Sequence, residues 1–151
     1  MNQSDSMGVL AYRLGFLGLI PFMAGPLWLT VAPGSVPQSL DYLWLNYAAL
    51  IASFMAGTFW GMALLSAPGS ARNAALLLSN MLMLSTWFAL QLAFIPSMIG
   101  IAAVFAALLI AEVWRERALV KLPDYFRLRV LLSTGAIACL GWRAALVLLT
   151  S

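Results

Sequence analysis

The stretch Leu40–Leu65 reads LDYLWLNYAALIASFMAGTFWGMALL. A helix needs about 20 mostly apolar residues to cross the hydrocarbon of a bilayer. This run supplies them with one charge, Asp41, at its start. A barrel strand would alternate apolar and polar residues over a much shorter segment. The stretch therefore reads as a transmembrane α-helix, and the rest of the chain agrees. Of 151 residues, 64% are hydrophobic and 9% are charged, with a mean hydropathy of +0.96. A soluble domain is about half apolar and a quarter charged, so this chain has too little polar surface to cover a core in water.

Working outward, four further spans follow. The expected set is 10–31, 40–65, 71–94, 97–113 and 128–150, forming an all-α, compact bundle of about five transmembrane helices. Residues 1–9 read as a short tail. Turn signals separate the spans at Ala32–Pro37, Ser66–Ser70 and Ile95–Ser97, and a charged segment, Trp114–Arg127, separates the last two. No basic residue precedes Arg13 and no A-x-A site follows the first span, so it is expected to be retained rather than cleaved as a signal peptide.

Loop charge orients the bundle. Arg13, Arg72, Arg115, Arg117, Lys121, Arg127 and Arg129 share one side, and only Arg143 is on the other. Cytoplasmic loops are enriched in Lys and Arg, so the N-terminus is expected in the cytoplasm and the C-terminus outside. The net charge of +3 is explained by this asymmetry, and no nucleic-acid partner is expected. The partner that is expected is the bilayer itself, with a homo-oligomer or another membrane protein as further candidates.

Three groups of residues are candidate sites. Within SFMAGTFWG, Ser53, Gly57 and Gly61 recur at a spacing of four, with Trp60 between the glycines. Such small-residue faces let helices approach closely in lipid, so these residues form a candidate helix-packing groove. It is to be filled by a helix of this chain, a partner or a lipid. Ala103, Ala107 and Ala111, and Gly135 with Cys139, are candidate receiving faces.

The second group is polar. Arg143 lies inside the fifth span, and an intramembrane arginine is a functional candidate by default. Asp41, Asn46 and Gln91 are expected near the same depth and could satisfy its guanidinium. The alternative is that Arg143 snorkels to the headgroups. The third group, Glu112, Arg115, Pro123, Tyr125, Arg127 and Arg129, surrounds the last connection. It reads as a solvated anchor on anionic lipid, or as a docking or headgroup site.

Pro21 and Pro26 interrupt the first span and are expected to kink it. The tryptophans read as interfacial belts. With one cysteine and no histidine, no zinc, haem or iron–sulfur site, no metal and no cofactor is expected. A Ser/His/Asp catalytic set is impossible without histidine, no dinucleotide or phosphate-binding motif occurs, and no carboxylate is expected mid-membrane.

Three stretches resemble one family. They are Leu45–Gly61 (LNYAALIASFMAGTFWG), Pro123–Ser133 (PDYFRLRVLLS) and Leu14–Pro21 (LGFLGLIP). The family comprises small multi-pass membrane proteins of unknown function from bacteria, with a mitochondrial relative in animals, transmembrane protein 69. Members often have glycine at Ala56, histidine at Phe59 and aspartate at Glu112, so a chemical role for that histidine would be missing here. The resemblance implies a bacterial inner-membrane protein of about five spans and no assigned activity. Three functions are open. They are a non-enzymatic assembly or accessory component of a membrane complex, a carrier or binder of a lipid, quinone or other small hydrophobe, and, least supported, a lipid-modifying enzyme.

Overall fold

The computed structural model describes residues 3–32, 35, 37, 39–65, 69–119 and 121–150, with side chains from Gly8 to Leu149. Five helices make up the described chain: α1 (Gln3–Val31), α2 (Leu40–Leu65), α3 (Ser70–Leu90), α4 (Phe94–Ala118) and α5 (Pro123–Thr150). All five are long and apolar enough to cross a membrane. In order around the bundle, α1 packs on α2, α2 on α3, α3 on α4, α4 on α5 and α5 on α1, with α2 and α4 also in contact across the middle. The exterior carries large apolar side chains such as Leu17, Leu50, Phe54, Leu77 and Ile110. That is the surface expected where the solvent is hydrocarbon.

Helix bounds differ from the sequence expectation at three places. The helix of α1 extends back through residues 3–9, read above as a tail, although its membrane-competent part starts at Gly8. Between α3 and α4 the chain turns at Gln91–Ala93, where the amides of Gln91 and Leu92 bond to Phe88 and Ala89 carbonyls at 3.0 and 3.2 Å. Pro96 falls in the first turn of α4, where a helix has no use for its missing N–H. The segment 114–127 is largely helical, with residues 119, 121 and 122 outside α4 and α5 among the described residues. Of its charges, Arg115 and Glu116 join a buried ionic group with Glu112 and Arg129, while Arg117, Lys121, Asp124 and Arg127 are exposed. The turn residues 33, 34, 36, 38 and 66–68 lie outside the described residues.

The middle of the bundle is aromatic and small. Phe22 of α1 meets Trp44, Tyr47 and Phe105 edge-on, with ring centroids 6.4, 5.4 and 5.9 Å apart. Around this hub lie Ala48, Ala52, Ala56 and Ile101, all fully buried. The prolines of α1 explain part of the arrangement. Pro26 has no N–H to give the Phe22 carbonyl one turn earlier. The indole Nε1–H of Trp44 donates to that carbonyl instead, at 3.0 Å. Trp44 is therefore a core residue, not part of an interfacial belt. Gly25 makes the docking possible, because a Cβ there would lie 2.8 Å from the Trp44 ring.

Close approach uses glycines other than those singled out in the sequence. A Cβ at Gly100 of α4 would sit 2.9 Å from the Cβ of Ala89 on α3, and one at Gly15 would sit 2.9 Å from Leu128. Gly135 faces Leu19 of α1, not α2. Gly57 and Gly61 have nothing of this chain within 4 Å of a built Cβ, and both are exposed. A helix of this chain therefore does not fill the Ser53–Gly57–Gly61 groove among the described residues. The reason is rotational. α2 turns its alanine face, Ala48, Ala52, Ala56 and Ala63, into the bundle, which leaves the glycine face, with exposed Trp60, looking out. Ser79 of α3 seals the packed side by donating its hydroxyl to the Ala56 carbonyl at 2.9 Å.

Candidate functional site

Charge is buried at both ends of α5, on faces that look toward α2. At the end shared with the α4–α5 connection, Glu112, Arg115 and Arg129 are 0%, 0% and 3% exposed. Glu112 stands six residues before the end of α4, about 9 Å along its axis. Its two carboxylate oxygens are both engaged. Oε2 accepts from Arg115 Nε at 2.6 Å, and Oε1 from Arg129 Nε at 2.6 Å. Arg115 Nη2 also donates to Glu116 Oε2 at 2.9 Å, and Glu116 accepts the Leu122 amide at 3.2 Å. Arg129 Nη2 crosses to α2 and donates to the Met55 carbonyl at 2.6 Å.

Two arginines and two glutamates make this group neutral, which is the condition for keeping charges away from water. Aromatic rings close it. The Tyr125 ring lies 5.5 Å from the Arg115 guanidinium carbon and 5.6 Å from that of Arg129, and Phe59 lies 5.6 Å from the latter. Phe59 is the position where the resembled family often has histidine. Here a fully buried ring stacks against Arg129.

Of the six residues expected in this region, the structure brings together Glu112, Arg115, Arg129 and Tyr125. Pro123 starts α5 at the exposed edge, and Arg127 points away from the cluster. Sequence reasoning put Glu112 near the end of the fourth span and expected no carboxylate mid-membrane. It missed Glu116 as the fourth charge and Met55 as the carbonyl partner. The i, i+3 spacing of Glu112 and Arg115 was the only visible signal.

At the opposite end, Arg143 holds Asp41 of α2 through three contacts. Nε and Nη2 lie 3.0 and 2.9 Å from Oδ1, and Nη2 lies 2.8 Å from Oδ2. Phe94 packs under the guanidinium at 5.0 Å. The Arg143 side chain is 10% exposed and is paired with Asp41 in the first turn of α2. Asn46 and Gln91 do not join it. Each bonds a carbonyl one turn back on its own helix, Tyr42 at 2.8 Å and Trp87 at 3.3 Å.

Between these ends lies a crevice of about 460 Å³ formed by α1, α2 and α5. α1 contributes Ala11, Leu14, Gly15, Gly18 and Phe22, and α2 contributes Ile51, Phe54, Met55 and Thr58. Its floor is α5, with Tyr125, Leu128, Arg129 and Leu132. α1 and α2 are held together by Trp44 on Phe22 and by the Tyr47 hydroxyl on the Gly18 carbonyl at 2.6 Å. Toward Ala11 and Thr58 they leave the crevice open beside exposed Leu14 and Phe54. A second space of about 270 Å³ shares Ala11, Tyr125 and Leu128 with it and runs to Tyr12 and Asp124, whose hydroxyl and carbonyl are 3.0 Å apart. The crevice is apolar except at its Arg129 end. It does not include Ser53, Gly57 or Trp60.

Among the described residues no group of three or more His, Cys, Asp or Glu could hold a metal ion. No curated protein and no solved structure matches the chain. A family model does match, over residues 8–145, which contain both arginine clusters and the crevice. The chain belongs to that family, described as protein of unknown function DUF3429.

Proposed function

We propose that this protein is a non-enzymatic binding protein of the bilayer, holding a small hydrophobe or amphiphile in the α1/α2/α5 crevice. One observation carries the reading: a lipid-open apolar space of about 460 Å³ ends on a single buried guanidinium, Arg129. Small-molecule sites have this form, an apolar pocket of about 300–1,000 Å³ with a few fixed polar groups. A catalytic reading fits less well. Both oxygens of Glu112 are held by arginines, so it is a poor general base.

The test is the full-length protein purified in a mild detergent, with bound hydrophobes identified by native mass spectrometry. A co-purifying species that is lost in Ala11→Trp and Thr58→Trp, two crevice-filling variants, is the expected result. Retention of the same species by both variants, at wild-type levels, overturns the reading.

A second reading is an accessory component of a membrane complex, as a homo-oligomer or with another membrane protein. The outward glycine face of α2 favours it, because Ser53, Gly57 and Gly61 offer a close approach that no helix of this chain uses. The proposal also includes a bacterial inner-membrane location, a cytoplasmic N-terminus and kinship with transmembrane protein 69. The first two rest on the basic-residue asymmetry and the resemblance, and the third on the three quoted stretches.

A further inference from the structure

We propose that the occupant of this crevice carries an uncharged head that accepts hydrogen bonds through carbonyl oxygen, as a benzoquinone or an acylglycerol does. The proposal rests on the binding reading above and narrows it to a class of ligand. Carboxylate and phosphate heads are the classes it excludes.

The argument begins with charge. Among the described residues, Arg129 is the only charged side chain lining the crevice. Its charge is already matched, since Arg115 and Arg129 face Glu112 and Glu116 in one connected group. An anionic head would leave that group with an uncompensated negative charge away from water, which is strongly unfavourable. A neutral acceptor adds no charge.

Geometry points the same way. A carboxylate grips arginine with two parallel bonds, using Nη2 together with either Nε or Nη1. Nε is 2.6 Å from Glu112 Oε1 and Nη2 is 2.6 Å from the Met55 carbonyl. The side-on grip through Nε would compete with Glu112, while Nη1 and the second Nη2 hydrogen are engaged by neither of these two bonds. A carbonyl oxygen needs only one of those N–H groups and brings no charge. Above Arg129 the walls are Tyr125, Phe22 and Phe54 with aliphatic side chains between them. That surface receives a ring or the first part of a chain. The remainder of a tail would leave along exposed Leu14 and Phe54, which are 58% and 72% exposed.

The experiment measures binding of three probes to the detergent-purified full-length protein, at a pH where oleate is ionised. The probes are decylubiquinone, monoolein and oleate. At least one neutral probe is expected to bind about tenfold or more tightly than oleate. Ala11→Trp and Thr58→Trp are expected to weaken that binding about tenfold, while Ile110→Phe on the exposed side of α4 does not. Preference for decylubiquinone identifies a planar quinone head, and preference for monoolein an ester carbonyl; either supports the proposal. Oleate binding as tightly as the neutral probes, with the same sensitivity to Ala11→Trp, overturns the neutral-head proposal and leaves the crevice as a binding site. No probe binding that responds to either crevice variant overturns both.

Discussion

Arg143 and Asp41 are 102 positions apart in the chain and joined by three hydrogen bonds of 2.8 to 3.0 Å. With Arg129 on the Met55 carbonyl, they tie α5 to α2 at both ends. The crevice lies between α2, α5 and α1, so these two arginines hold its walls at a fixed separation.

Removing one side of the Arg143–Asp41 pair is expected to destabilise the bundle. Asp41→Asn or Arg143→Leu should lower stability by about 1–3 kcal/mol, since each leaves a partly buried charge without its partner. The double variant Asp41→Leu/Arg143→Leu should recover a large part of the loss. Reversible unfolding in mixed micelles measures this. Additive losses in the double variant would show that the pair is not coupled.

The Glu112 group is more demanding. Glu112→Gln leaves Arg129 buried without its carboxylate and Arg115 with Glu116 alone, at a cost of about 3–5 kcal/mol. The expected phenotype is a sharp drop in monodisperse yield. Glu112→Asp keeps the charge, the residue common in the resembled family, and should be milder. Size-exclusion profiles of the two variants side by side decide it; equal yields would contradict the pairing.

The Trp44–Phe22 bond exists because Pro26 frees a carbonyl. Trp44→Phe should cost about 1–2 kcal/mol beyond packing changes, the value of a buried hydrogen bond lost to an unsatisfied carbonyl. In a Pro26→Ala background the backbone N–H of residue 26 can take that carbonyl. The same Trp44→Phe change should then cost measurably less. A double-mutant cycle on thermal stability in detergent tests the coupling.

The glycines divide into two sets. Gly25→Ala and Gly100→Ala push a Cβ to within 2.8 and 2.9 Å of Trp44 and Ala89, and should cost about 1–3 kcal/mol. Gly57→Ala and Gly61→Ala meet nothing in this chain and should leave the melting temperature unchanged or raise it. Loss of an oligomer or co-purifying partner in Gly57→Leu, at unchanged melting temperature, is the result expected from the accessory-component reading.

Orientation is open to labelling. Cys139 is buried, 7% exposed, and should react slowly with an impermeant maleimide. In a Cys139→Ser background, a cysteine at Ser35 should label from outside intact spheroplasts, and one at Arg117 only after lysis. The reverse pattern would invert the proposed topology.

The number of helices and their order were legible in the sequence. Each depends on runs of apolar residues and on turn chemistry, which are properties of neighbouring residues. The face each helix turns inward was not. α2 is apolar all round, with its alanine and glycine faces both small, and nothing local distinguishes them. The choice was made by α3 and α4, through Ser79 on the Ala56 carbonyl and the aromatic hub around Phe22. The buried charges were hidden for a similar reason. A carboxylate next to Arg115 and Arg117 looks solvated until Arg129, 17 residues away, closes over it. The sequence by itself determined that the chain needs lipid and how many times it can cross it, because burial of apolar length is additive. Only the tertiary structure decided which charges pair, which glycines are used and where a crevice remains, because those follow from rotation and contact between helices.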